Sequence, residues 1–108
     1  RWERVAAGAA AQAKLPRIPA ILEPVELADA LVHGAIVCSH EEHDTALVDA
    51  LARTGTPVTL LIGPEAGFGA DELAQARAAS CPIVALGGTV LRTETAAIVA
   101  AALVRAQL

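Results

Sequence analysis

The chain has few of the residues from which aromatic cores, disulfide frameworks and membrane spans are built. Among its 108 residues there is no Tyr and no Met, one Trp and one Phe, and 26 of the apolar residues are Ala. The core must therefore consist of Leu, Val and Ile packed against closely approaching, Ala-rich helices. No apolar run approaches the ~20 residues that a membrane span needs, and the opening Arg1-Trp2 is not a signal-peptide pattern.

The two cysteines, Cys38 and Cys81, both lie in apolar, strand-like stretches. This setting favours two buried thiols over a disulfide or a redox pair. Together with the lack of a signal-peptide pattern, it predicts a cytoplasmic protein. Cys38 lies near His40 and His43, but a tetrahedral zinc site usually needs four well-spaced ligands, so we predict no metal site.

Charge is unevenly distributed along the chain. The net charge of −4 argues against a free-standing nucleic-acid-binding domain. Residues 1–17 nevertheless carry a balance of +3, which comes from Arg1, Arg4, Lys14 and Arg17 against Glu3. These cations either contact phosphate groups or form an ordinary solvated helix face, and charge alone favours neither interpretation.

Hydrophobic periodicity predicts a single α/β domain. Apolar runs ended by glycine or by a polar loop indicate buried strands at 35–38, 58–62 and 83–86. Apolar spacings of three and four residues, such as that of Trp2 and Val5, indicate helices at 1–13, 25–33, 44–53, 70–79 and 94–106. Thr93 is the expected N-cap of the last helix, and the proline-rich residues 14–24 should form an extended connector.

Two of the predicted strands run directly into glycine loops. Ile62 is followed by Gly63-Pro64, and Leu86 is followed by Gly87-Gly88. In open α/β sheets, ligands bind where such loops gather at the carboxyl ends of the strands, and glycine lets the backbone approach a ligand closely. The spacing matches neither a Walker A motif nor G-x-G-x-x-G, so it gives little support for phosphate binding. Without other evidence, a glycine loop between a strand and a helix is a purely structural turn about as often as it is a ligand site.

The same loops carry a family resemblance. The segment Leu61-Ile62-Gly63-Pro64-Glu65-Ala66-Gly67-Phe68 resembles an IGPEGG-F loop, and the segment from Leu86-Gly87 to Leu91-Arg92-Thr93-Glu94-Thr95-Ala96 resembles an LG-x-x-x-LRTETA signature. Both are typical of the bacterial small-subunit (16S) rRNA uridine-N3 methyltransferases, which belong to the SPOUT (trefoil-knot) superfamily. Arg1-Trp2 and Gln12 with Arg17-Ile18-Pro19 fall where that family has its RW…EQ…R-x-P segment.

The resemblance implies a fold, a cofactor and a reaction. The fold would be an α/β-knot, a parallel sheet with flanking helices and a C-terminal trefoil knot, that works as a homodimer. It would bind S-adenosyl-L-methionine in the knot and methylate N3 of a uridine in 16S rRNA. On this basis the cofactor-binding residues are Ile62, Gly63, Glu65, Gly67, Leu86, Gly87, Leu91, Thr95 and Ala96, and the RNA-binding residues are Arg1, Gln12 and Arg17.

The polar candidates for catalysis are Arg92 and Glu94 of the second motif. The methyl group of a sulfonium is already activated, so the protein mainly has to align the nucleophile with it and help to remove the N3 proton. Arg92 would stabilise the developing uracil anion or hold a phosphate. Glu94 would act as a base, or would stabilise the N-terminus of the last helix. Glu65 is similarly either functional or an acceptor that braces the loop.

The chain departs from the family pattern at three positions. Ala66 replaces the usual second glycine of the first motif, which is tolerable if its φ is negative and costly otherwise. Ala11 stands where Glu is usual, and Leu15 stands where an RNA-contacting Arg is expected. The family pattern also has an RNA-binding β-barrel and a first βα unit before the RW segment. Residues 1–108 are therefore expected to be a partial, C-terminal SPOUT methyltransferase domain.

Two other functions are compatible with the sequence. A degenerate knot domain would dimerise or bind the cofactor without turnover, and the changes at Ala11 and Leu15 motivate this alternative. A SPOUT enzyme that acts on tRNA is the other, although the LRTETA signature speaks against it. For the homodimer that the resemblance implies, the last helix is expected to offer a contact face through Ala100, Leu103 and Val104.

Overall fold

Helices alternate with short strands along most of the chain. The computed structural model of the protein describes residues 1–32, 34–40, 43–87 and 91–107. Within these ranges the elements, in chain order, are α1 (Trp2–Gln12), α2 (Leu27–Ala30), β1 (Ile36–Cys38), β2 (Thr45–Ala46), α3 (Leu47–Arg53), β3 (Leu60–Ile62), α4 (Ala70–Ala78), β4 (Ile83–Ala85) and α5 (Thr93–Gln107). None of the helices in the described ranges combines the length and apolar character that crossing a bilayer requires.

The strands form one parallel sheet in the order β2-β4-β1-β3. Val37 of β1 lies at the centre, between Leu61 of β3 and Ile83 of β4. The first two residues of each inner strand are β-branched and almost completely buried, as expected for strands covered on both faces. Because all strands point the same way, their carboxyl ends meet at one edge of the sheet, which is where the glycine loops begin.

The core consists of one apolar layer on each face of the sheet. Alternate residues of β1 point to opposite faces. Val37 belongs to a cluster with Leu73 and Ala76 of α4, whereas Ile36 belongs to a cluster that also contains Leu47 and Ala50 of α3 and Val104 of α5. Helices thus flank both faces of a parallel sheet, which confirms the predicted α/β class.

The strand β2 is missing from the sequence prediction, which has residues 44–53 as one helix. Thr45 and Ala46 instead pair with Val84 and Ala85 of β4, and the helix begins only at Leu47. Two residues are too few to show a strand periodicity. Their conformation depends on a partner strand far along the chain rather than on local propensity.

Other predicted boundaries also need correction. The helix expected at 25–33 is a single turn, Leu27–Ala30; Val32 lies outside it with half of its surface exposed, and residue 33 lies outside the described residues. The strand expected at 58–62 begins at Leu60 and is half-buried rather than buried. The reason is that β3 lies at the edge of the sheet and pairs with β1 alone.

The N-terminal helix lies largely outside the core. Ala10 is its one buried residue, while Trp2 and Val5 are more than half exposed. The apolar spacing of Trp2 and Val5 therefore predicts the helix correctly but does not identify a buried face. Residues 14–24 contain neither helix nor strand, as predicted.

Two further expectations concern the last helix and the cysteines. Ala100 and Val104 are buried, so of the three residues expected to be free for a dimer contact Leu103 alone is exposed. Both cysteines are free thiols, Cys81 buried and Cys38 half-buried. This confirms the interpretation of the two residues as thiols rather than a disulfide.

Candidate functional site

A cavity of about 330 Å³ lies at the carboxyl ends of β1, β3 and β4. This volume is within the range of small-molecule sites, ~300–1,000 Å³. Its lining comes from the end of β1, from the loop that follows β3, from α4, and from the residues around the start of α5: Cys38, Ser39, His40, Ile62, Gly63, Pro64, Glu65, Gly67, Phe68, Ala70, Leu73, Leu86, Leu91, Thr93 and Ala96. The first glycine loop of the sequence prediction and Leu86, the residue before the second loop, therefore reach the same cavity.

The loop after β3, residues 63–69, is a tight turn. The Gly67 N–H donates to the Pro64 carbonyl over 2.8 Å, which closes a four-residue turn. Gly67 has a φ of +79°, a left-handed conformation that glycine adopts without strain. Among the described residues other than glycine, Lys14 and Ser80 have a positive φ, and Ala66 does not. Its methyl group therefore causes no left-handed strain, and this departure from the family pattern is tolerated.

The first residue of this loop, Gly63, is in close contact with an aromatic ring. A Cβ built on Gly63 would lie 3.0 Å from Cε2 of Phe68. Phe68 in turn packs against the core cluster that contains Leu73. The ring thus holds the loop against the body of the protein, and it leaves little room for a side chain at position 63.

The end of the loop is joined to α4 by a carboxylate. The Gly69 N–H donates to Oε1 of Glu72 over 2.8 Å. Glu72 and Asp71 lie in the first turn of α4, where carboxylates interact favourably with the helix dipole, as the sequence predicts. This contact is one half of a capping box, and it fixes the point at which the loop becomes a helix.

The start of α5 forms the opposite side of the cavity. The Ala96 N–H donates to the Arg92 carbonyl over 2.7 Å, so Arg92 holds the N-cap position. The prediction that Thr93 is the N-cap is therefore wrong, because Thr93 is the first residue of the helix. Its side-chain Oγ1 instead donates to the Gly63 carbonyl over 2.9 Å. Gly87, which lies between β4 and α5 in the sequence, has a φ of +142°, and residues 88–90 lie outside the described residues.

Most of the residues that the resemblance assigns to the cofactor lie around this cavity. Gly87 and Thr95 do not line it, and neither do the catalytic candidates Arg92 and Glu94, which flank Thr93 in the sequence. Those that line it are Ile62, Gly63, Glu65, Gly67, Leu86, Leu91 and Ala96. Their role in binding a ligand stays a prediction.

The predicted RNA-binding residues lie elsewhere. Arg1 and Gln12 are at the two ends of α1, Arg17 follows it, and all three are exposed. The guanidinium carbon of Arg1 lies 5.2 Å from the centre of the Trp2 ring, a cation–π distance. The N-terminal segment therefore presents cations and an exposed indole, and none of these residues lines the cavity.

The residues at the end of β1 also belong to the site. The sequence predicts Ser39 and His40 on the loop that leaves this strand, close to the cofactor. Cys38, Ser39 and His40 line the cavity, although none was assigned to cofactor or substrate. The signal was available, since a central parallel strand must end at the same edge as its neighbours. Burial raises the pKa of the Cys38 thiol to about 11, so the thiol stays protonated and unreactive at neutral pH. The His40 imidazole is exposed to solvent and lines the cavity.

The same region shows no arrangement typical of a metal site. Within the described ranges, no three side chains of His, Cys, Asp or Glu gather closely enough to hold an ion. The absence of a metal remains a prediction.

Comparison with known proteins identifies the family. The profile of the RNA methyltransferase domain matches residues 1–105. The chain belongs to this family. It is 38% identical over 109 residues to the ribosomal RNA small subunit methyltransferases E of Mycobacterium bovis and Mycobacterium tuberculosis. These matches cover 93% of this RNA methyltransferase domain and 41% of each relative.

Solved structures resemble this RNA methyltransferase domain over nearly its whole length. A methyltransferase from Legionella pneumophila, in complex with the cofactor SAM, has a TM-score of 0.81 at 30% identity and covers 98% of the chain. A ribosomal RNA small subunit methyltransferase E from Neisseria gonorrhoeae, bound to S-adenosyl methionine, has a TM-score of 0.80 at 29% identity and covers 94%. The chain spans 45% of the length of each, less than half of the relatives that it matches.

Proposed function

We propose that this chain is the cofactor-binding catalytic domain of an enzyme that transfers a methyl group from S-adenosyl-L-methionine to N3 of a uridine in 16S rRNA. The observation that carries the proposal is the cavity at the carboxyl ends of the strands, lined by residues of both family motifs. Relatives named ribosomal RNA small subunit methyltransferase E, at 38% identity, support the substrate. Two similar structures contain the cofactor and support its identity.

The cavity suits the adenosyl part of this cofactor. Side chains such as Leu86, Leu91 and Leu73 present apolar surface for the faces of a planar base. The glycine loop at 63–69 brings the backbone close to the cavity, and its N–H and C=O groups that are not bonded within the protein can match the donor–acceptor edge of adenine. When bound, the cofactor supplies a methyl group already activated by a sulfonium. The residues of the chain then have to orient the two reactants.

Arg92 and Glu94 carry the proposed chemistry. They flank Thr93, which lines the cavity, so their backbone lies beside the reacting groups while their side chains stay outside the lining. Arg92 stabilises the negative charge that develops on the uracil ring. Glu94 accepts the N3 proton, a role for which His40 at the rim of the cavity is a second candidate.

The proposal extends to partners. Arg1, Gln12 and Arg17 form an exposed RNA contact at α1 and the segment after it, and the substrate implies a cytoplasmic location. The chain forms the trefoil knot of the SPOUT superfamily and works as a homodimer. Ile98 and Leu103 of α5 supply exposed apolar surface for the dimer contact, with 69% and 42% of their surface accessible.

A binding module without turnover is the second candidate. It is favoured by one observation, that neither Arg92 nor Glu94 lines the cavity. Such a module would bind the cofactor and dimerise but would transfer no methyl group. The replacements at Ala11 and Leu15 also favour a module without turnover, because they remove polar side chains from the expected RNA contact.

Titration calorimetry with S-adenosylhomocysteine tests the proposal first. The expected result is saturable binding at one site per chain. In a second assay with labelled cofactor, we expect methyl transfer to N3 of a uridine in small-subunit rRNA but not in tRNA. Binding without transfer to either RNA would favour the module without turnover. A folded chain that does not bind would overturn the proposed function.

A further inference from the structure

We infer that Thr93 is a positioning residue whose hydroxyl holds the start of α5 at a fixed distance from the end of β3 and so sets the width of the cofactor cavity. The inference rests on the proposed function, because it concerns the same cavity. It starts from the hydrogen bond in which Thr93 Oγ1 donates to the Gly63 carbonyl over 2.9 Å.

This bond joins the two sides of the cavity directly. Thr93 and Gly63 both line it, and they are 30 residues apart in the sequence. Gly63 is the first residue after β3, and Thr93 is the first residue of α5. The bond is partly buried, so water competes for the carbonyl less than it would at the surface.

Both ends of the bond are held by other contacts. On one side, the Phe68 ring lies against Gly63, so the loop cannot move freely towards the core. On the other side, the Arg92 carbonyl accepts the hydrogen bond of Ala96 that begins the helix. The hydroxyl therefore connects two rigid elements, the end of β3 and the start of α5. Losing it changes the distance between these two elements and does not merely loosen a flexible loop.

The position of Thr93 also affects the proposed catalytic residues. Arg92 and Glu94 are its immediate neighbours in the sequence. Because the Thr93 side chain points to Gly63, the neighbouring side chains leave the helix start in other directions, and neither of them lines the cavity. One hydroxyl thus fixes the width of the cavity and the backbone positions from which the side chains of Arg92 and Glu94 extend.

The chain offers a matched control for removing this hydroxyl. Thr54 has a buried Oγ1 with no hydrogen-bond partner among the described residues, and it lies at the end of α3, away from the cavity. Thr93→Val and Thr54→Val make the same chemical change. The first removes a donor from the Gly63 carbonyl, while the second breaks no described hydrogen bond.

Titration of the full chain with S-adenosylhomocysteine provides the test. We expect Thr93→Val to weaken binding about tenfold, the effect of one lost partly buried hydrogen bond. Thr93→Ser keeps the donor and should restore binding to within about threefold of the parent chain. Thr54→Val should bind like the parent. Unchanged affinity in Thr93→Val, or equal losses in Thr93→Val and Thr93→Ser, would overturn the inference.

Two further measurements separate positioning from general stability. Thermal unfolding without ligand should show that Thr93→Val is folded at the titration temperature and loses no more stability than one hydrogen bond accounts for, so that the fall in affinity does not come from unfolding. If Thr93→Val does not fold, Thr93→Cys, whose thiol is a weak donor, should bind less tightly than Thr93→Ser. Equal affinities of the Cys and Ser variants would then count against the inference.

Amide hydrogen exchange distinguishes failure of this inference from failure of the proposed function. If the parent chain does not bind the ligand, the proposed function fails, but the contact can still be judged without ligand. Thr93→Val should speed exchange at Gly67 and at Ala96, on the two sides of the cavity, and leave Ala76 of α4 unchanged. Unchanged exchange at Gly67 and Ala96 would overturn the positioning role by itself.

Discussion

The Phe68 ring occupies the space that a side chain at Gly63 would need. A Cβ on Gly63 would come within 3.0 Å of Cε2 and 3.1 Å of Cδ2 of that ring. Since no positive φ is recorded for Gly63, it is the aromatic contact, rather than backbone conformation, that calls for glycine here. The chain's one phenylalanine therefore shapes the entrance of the loop at 63–69.

This contact predicts the effect of Gly63→Ala. We expect the added methyl group to displace the ring and the loop, destabilise the fold by about 1–3 kcal/mol through overpacking, and weaken binding of S-adenosylhomocysteine. Phe68→Leu in the same chain should recover part of the lost affinity, because the smaller side chain leaves room for the methyl group. Gly8→Ala is the control, since a Cβ there meets open space in α1, and it should stabilise by about 0.5–1 kcal/mol. Calorimetric titration of the double variant that shows no recovery would contradict this account.

A second prediction concerns the left-handed conformation of Gly67. At its φ of +79°, an alanine is strained by roughly 1–2 kcal/mol, even though a Cβ would meet no other atom. Gly67→Ala should therefore lower the unfolding free energy by that amount and reduce ligand affinity by deforming the turn. Gly55→Ala changes a glycine with open space and no positive φ, and it should do neither. Equal denaturant midpoints for the two variants would show that strain at Gly67 is unimportant.

Local sequence patterns predict some parts of this fold and site and not others. The apolar runs at 35–38 and 83–86, each bounded by loop signals, predict two buried strands, because burial on both faces leaves a continuous apolar pattern. The two-residue strand at Thr45 cannot be predicted in this way, because its conformation depends on pairing with Val84. At Thr93, the local preference for an N-cap is overridden by a carbonyl 30 residues away. Local rules fail where a long-range partner decides the geometry.

The buried thiol of Cys38 predicts a pH dependence at alkaline pH. Burial raises the pKa of this thiol from 9.0 to about 11, and burial also raises that of Cys81. Between these values the unfolded chain releases the proton while the folded chain retains it. Stability is therefore fully present below pH 9 and is lost as the pH rises from 9 through 11.

Denaturant unfolding across this interval measures the effect. Cys38→Ala should flatten the decline in unfolding free energy between pH 9 and 11, leaving the part due to Cys81. The chain contains no Tyr, so no phenol titrates in the same window. Alkylation of the parent by iodoacetamide should likewise stay slow at pH 8. An equally steep decline in Cys38→Ala would rule out Cys38 as its source.

The last prediction separates cofactor binding from methyl transfer at the start of α5. Arg92 and Glu94 lie outside the cavity lining, so Arg92→Ala and Glu94→Gln should bind S-adenosylhomocysteine like the parent. Methyl transfer to N3 of a uridine in small-subunit rRNA should nevertheless slow down. The rate should fall by about 10²–10³ in Arg92→Ala, because Arg92 stabilises the uracil anion. It should fall by at least about 10² in Glu94→Gln, because Glu94 accepts the N3 proton. Arg105→Ala, in the last turn of the same helix, is the matched control and should leave the rate unchanged. A full rate in Glu94→Gln with a large loss in His40→Ala would assign the proton to His40, because the imidazole lines the cavity and the Glu94 carboxylate does not.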